Sequence, residues 1–157
     1  MSTTNVQDLV IEVRDVLDEN IDDPISRRAA DGKNWVYDDF PNLNATMPRI
    51  GIAAVDVTYD SLALGTPKRV KNAVIQVSVF VDQSDNKFDV DDDGSNETEE
   101  QVMQYLATRV EDVIVNQQDY FRNTVGVRYM LPTSSTRTVN MEENVIQKNI
   151  SLEVEFV

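Results

Sequence analysis

The strongest constraint on how this chain folds is the strict two-residue alternation between Val70 and Asp82. Ala73, Ile75, Val77, Val79 and Val81 take one side, and Asn72, Gln76 and Ser78 take the other. Successive side chains of an extended strand point to opposite faces, so this pattern predicts a strand with one buried face. Val74 and Phe80 interrupt the polar side, which implies that part of that face is covered as well. A second alternation closes the chain, with Ile146, Ile150, Leu152, Val154 and Phe156 set against Gln147, Asn149, Ser151, Glu153 and Glu155. Valine outnumbers leucine 23 to 8, which suits a core built on a sheet.

Further strands are expected on either side of these. Ile50 and Ile52 share one phase, and Val55, Val57 and Tyr59 take the opposite one, so a bulge or bend is expected at Ala53–Ala54. Val125, Val127, Tyr129 and Leu131 alternate with Gly126, Arg128 and Met130, and the Thr/Ser-rich run 133–140 reads as the tip and return arm of a hairpin. Trp35-Val36-Tyr37 is a short strand inside a long polar connection, with the sole Trp anchoring it to the core.

Two segments carry helical spacing instead. Val6, Leu9, Val10, Val13, Val16 and Leu17 form one apolar stripe, capped by Thr3 or Thr4 and ending near Asn20. Val102, Tyr105, Leu106, Val110, Val113 and Ile114 form the other, running to about Asp119, with Asn96 and Glu99 as its capping box. The expected architecture is therefore α+β: a mainly antiparallel sheet with two amphipathic helices packed on one face, in a single domain over residues 1–157.

Composition narrows function mainly by exclusion. The chain has no His and no Cys, so it lacks the commonest general base, the commonest transition-metal ligand and the best soft nucleophile. An enzyme is not expected. Acids outnumber bases 28 to 14, for a net charge of −14, which opposes binding to nucleic-acid phosphates or anionic lipid. No apolar run approaches the roughly 20 residues that span a bilayer, and the first residues show no secretory signal. Asp outnumbers Glu 18 to 10 and Arg outnumbers Lys 9 to 5, a balance consistent with a halophilic source.

More than half of the charge excess lies in one acidic loop, residues 82–100, with nine acids and one Lys. Within it, Asp89-Val-Asp91-Asp92-Asp93-Gly94-Ser95-Asn96-Glu97-Thr98-Glu99-Glu100 fits the calcium-loop pattern D-x-[DN]-x-[DN]-G-x5-E. Carboxylates at Asp89, Asp91 and Asp93, with Ser95 and a bidentate Glu100, are the candidate ligands for Ca²⁺ or Mg²⁺, and Gly94 permits the turn. Asn96 stands where such loops carry an aliphatic residue, a strand rather than a helix precedes the loop, and no second loop is present. A solvated acidic linker is the competing account. The paired carboxylates Asp22-Asp23 and Asp38-Asp39 read as loop surface, and Lys68-Arg69-Lys71 as charges guarding a strand entrance.

The order of segments resembles the tail-completion or tail-terminator proteins of long-tailed, siphovirus-like viruses. It rests on an N-terminal amphipathic helix, Met47-Pro48-Arg49-Ile50-Gly51-Ile52, the strand Val70–Asp82, one central helix, and a final strand pair ending Leu152-Glu153-Val154-Glu155-Phe156. The resemblance implies a homo-oligomeric ring, a hexamer, at the head-proximal end of the tail tube. Such a ring ends tube polymerisation and meets a neck or connector protein, in the virion and, during assembly, in the host cytoplasm. DNA would only pass through its lumen, where acidic walls keep it from sticking. Residues 60–69 and 132–145 are the expected ring contacts. Another neck component, such as a head-completion or adaptor protein, and a cation-binding interaction module of a halophile are the alternatives.

Dense carboxylates repel one another in dilute buffer and are screened in concentrated salt. The thermal midpoint is accordingly expected to rise steadily from low to molar KCl; a flat or falling midpoint contradicts salt adaptation.

Overall fold

The computed structural model describes residues 5–24, 34–38, 48–61, 69–82, 94, 98–140 and 144–156. The elements, in order, are α1 (Val6–Asn20), β1 (Val36–Tyr37), β2 (Arg49–Ser61), β3 (Arg69–Asp82), α2 (Glu99–Asn116), α3 (Gln118–Val125), β4 (Val127–Asn140) and β5 (Val145–Phe156). The five strands form one sheet in the order β1-β2-β3-β5-β4. β1 runs parallel to β2, and every other pair is antiparallel. This is the expected α+β architecture, with three helices in place of two among the described residues.

The alternation in β3 does what its sequence implies. Ala73, Ile75, Val77, Val79 and Val81 are all buried, and they lie beside Val154, Leu152, Ile150, Lys148 and Ile146 of β5. Against these rows α2 sets Val102, Met103, Leu106, Ala107, Val110, Val113 and Ile114, and α1 adds Leu9, Val10, Val13, Val16 and Leu17. These residues form one apolar cluster that also takes in Trp35, Val36, Ile50, Ile52, Phe121, Val127 and Met130. Each large aliphatic side chain buried in this way contributes about 1.5–3 kcal/mol. Trp35 anchors its segment as expected, and its carbonyl also accepts from the Ile50 amide at 2.8 Å. Phe80 and Val145 are buried outside this cluster, on the opposite face, so that face too is partly covered.

Both helix starts lie later than expected. The α1 cap is Asn5, whose side chain accepts from the Gln7 amide at 3.0 Å; Thr3 and Thr4 lie outside the described residues. The α2 cap is Thr98, in a reciprocal capping box with Gln101, so Glu99 is the first helical residue and not the box partner. A Thr with Gln three residues on satisfies two otherwise orphaned amides just before the apolar stripe begins.

The expected second helix is interrupted at Gln117 (φ −103°, ψ 20°), and α3 then carries helical structure through Val125. Val125 therefore ends a helix instead of starting a strand. Gly126, with φ 70°, supplies the left-handed residue that turns the chain into β4.

Three bulges explain the remaining differences in phase. The register slips between Ala54 and Asp56, leaving Val55 as the extra residue and 58% exposed. This is the expected irregularity, one residue later. Arg128 is extra between Val127 and Tyr129, so Val127 and Met130 face the core while Leu131 turns outward. Thr133 is extra between Pro132 and Ser134. The run 133–140 is not a hairpin tip: it continues β4 as a straight arm, paired with β5 as far as Asn140 and Val145. A bulge inserts one residue without ending the strand, and simple alternation cannot anticipate it.

Candidate functional site

The sheet has two margins of different character. On one side β1 covers only Ile50 and Gly51 of β2, so among the described residues no strand lies beside Ile52 to Ser61. On the other side β4 is a margin 14 residues long, about 45 Å of backbone. Within its first half, one residue is capped by a side chain. The Gln118 amide receives the Met130 amide at 3.0 Å and donates to the Met130 carbonyl and, at 2.7 Å, to the Ile114 carbonyl. It thus stands in for a neighbouring strand at one residue while satisfying the last turn of α2. Together with the bulges at Arg128 and Thr133, this leaves 134–140 as the straight, open part of the margin.

Charge is distributed unevenly between these surfaces. α1 carries five acids and one Arg, and α2 carries four acids and one Arg. β4 has no acid at all and two Arg, and its exposed run Thr133–Thr138 is almost entirely hydroxyl-bearing. Arg128 pairs with Glu155 at 3.0 Å, and Arg137 pairs with Glu100 at the start of α2. Arg137 also lies directly across from Lys148, so two cations share one row, the first of them paired with Glu100. Like charges opposed across strands are unfavourable, and Glu100 offsets that repulsion.

The face opposite the helices bears a polar ladder across the central strands. Asn149 Oδ1 accepts from Ser78 Oγ at 2.7 Å, Gln76 Nε2 at 3.1 Å and Gln147 Nε2 at 2.5 Å, and its own amide donates to Thr138 Oγ1 at 3.3 Å. This satisfies the wholly buried Ser78 and ties β3, β5 and β4 together. Nearby, the fully buried Arg49 lies with its guanidinium carbon 5.3 Å from the Phe80 ring centroid. The polar-phase residues of β3 thus serve packing and hydrogen bonding.

Of the candidate cation ligands, Asp89, Asp91, Asp93 and Ser95 lie outside the described residues. Gly94 has φ +90°, the conformation that the turn position of such a loop requires. Glu100 is placed in the first turn of α2, half-buried and engaged by Arg137. Among the described residues no group of three acids is arranged to hold a metal ion. Asp38 is held 3.2 Å from Arg14, which also bonds Asp15 at 3.0 Å, and Asp39 lies outside the described residues. Of the expected ring contacts, 62–68 and 141–143 lie outside the described residues, while 132–140 belongs to β4 and contains its open arm, 134–140. The Gln118 clamp had no signal in the sequence, because it depends on where α3 meets β4.

No helix among the described residues is long and apolar enough to cross a membrane. Neither a protein-family model nor a curated protein matches the chain.

Two tyrosines titrate above the ordinary value. Tyr120 is raised first by its 2.8 Å hydrogen bond to Glu12, then by desolvation and the charge of Glu12. Tyr129 is raised by desolvation and then by Glu153 and Glu155. A folded-state pKa above the unfolded value gives stability that is complete below about pH 10 and is lost as pH rises through the folded pKa. Tyr120→Phe is expected to flatten the alkaline limb of the unfolding free energy measured between pH 9 and 12; an unchanged slope contradicts the Glu12–Tyr120 link.

Proposed function

We propose that this chain is a structural subunit that assembles with copies of itself into a ring at the head-proximal end of a virus tail, ending tube growth and presenting a surface to the neck. The observation that supports it most is the open arm 134–140 of β4, straight, acid-free and exposed over 134–138, on a chain of net charge −14. Copies so strongly charged approach one another where charge density is lowest. The acidic outer faces of α1 and α2 would oppose stacking of rings on that side and leave DNA unbound in passage. The absence of His and Cys agrees with a role in assembly rather than bond-making.

The test is mass measurement and cryo-EM of the protein in molar KCl, alone and mixed with its tail-tube protein. A closed ring, six-fold if the family resemblance holds, capping the tube is the expected result. Monomers under every condition contradict it. If those monomers also released heat with millimolar Ca²⁺ after chelator treatment, the cation-binding module would be the better account.

A further inference from the structure

Resting on the ring proposal, we infer that each subunit joins the next by strand addition, the arm 134–140 of β4 pairing antiparallel with residues 56–61 of β2 in a second copy. Both are open margins of the same sheet among the described residues, and each is the straight segment that follows a bulge. Six residues follow Val55 in β2, and seven follow Thr133 in β4. The two strands run in opposite directions within the sheet, so a neighbour in the same orientation presents β2 antiparallel to β4.

Charge selects this pairing. The segment 56–61 holds two acids, Asp56 and Asp60. Paired antiparallel with its own copy about Thr58, it sets Asp56 against Asp60, like charges directly opposed. The arm of β4 holds no acid, and the register places Thr136 and Thr138 on the same sheet face as Asp56 and Thr58. Hydroxyls there can donate to the incoming carboxylate. Arg137, paired with Glu100, and Lys148 directly across from it keep this end of the sheet favourable to an acidic neighbour. Two β4 arms pairing with each other would close at a dimer, whereas unlike margins propagate head to tail and close as a ring.

The segments lie at opposite ends of the sheet, roughly 25 Å apart along the strand direction. Successive subunits are therefore staggered, and the strands must lie oblique to the ring axis, because a stagger along that axis would produce an open helix.

The chain has no cysteine, so introduced thiols report cleanly. Thr58 and Thr136 are both exposed, and with two strands between theirs they are too far apart to bridge within one molecule. Under mild oxidation in molar KCl, Thr58→Cys mixed with Thr136→Cys is expected to give covalent dimers, while either variant alone gives none. The double variant is expected to give a ladder ending at the ring. Disulfide dimers from Thr136→Cys alone overturn the inference in favour of a two-fold β4 contact. Rings seen by mass without mixed crosslinks overturn the inference and leave the ring proposal standing. Absence of any assembly overturns both.

Discussion

The contact between α2 and the inward rows of β3 and β5 is the one on which the other features depend. Leu106, Val110 and Ile114 are fully buried along one helix, and Ile75, Val77, Ile150 and Leu152 are fully buried beneath. With β3 and β5 joined over twelve successive residue pairs, this layer fixes the sheet's register, since a one-residue slip would turn the apolar row to the other face. The remaining elements attach to it: α1 packs on β2 and α2, β1 on β2, and α3 on β4.

That arrangement also decides where charge resides. A helix with one buried stripe must expose its other faces, and α1 and α2 fill those with carboxylates. The inner rows of the sheet hold charge only toward their ends, at Lys71, Lys148 and Arg137, and β4, at the margin, is left with hydroxyls and two arginines, each paired to a Glu. Long open margins are usually blunted, and here Gln118 and two bulges blunt only the first half of β4. What stays open is one arm, and the ring proposal is built on it.

Much of the fold was legible because it follows from period. Residues two apart in β3 and β5, and three or four apart in α1 and α2, reveal their buried faces without reference to anything distant. The failures share a cause. Arg128 and Thr133 are bulges set by pairing with β5, so Leu131, in phase with Val127 by simple alternation, is 44% exposed while Val127 is buried. Val125 fits a strand alternation and a helix end equally well, and Gly126 decides between them. The capping box was misplaced by two residues because Asn96 with Glu99 and Thr98 with Gln101 both have the required spacing. Of the candidate site, the open arm lay within the range marked for contacts, whereas the Gln118 clamp and the Arg137–Lys148 row arise from tertiary register and leave no local trace.

The most direct test of this account is denaturant unfolding of Leu106→Ala, which removes a fully buried side chain from the helix–sheet layer at its centre. If that one layer holds the structure together, the variant loses about 2–5 kcal/mol of stability in a single transition with unchanged denaturant slope. A loss below about 0.5 kcal/mol, the range of ordinary surface substitutions, or two separate transitions, would contradict it.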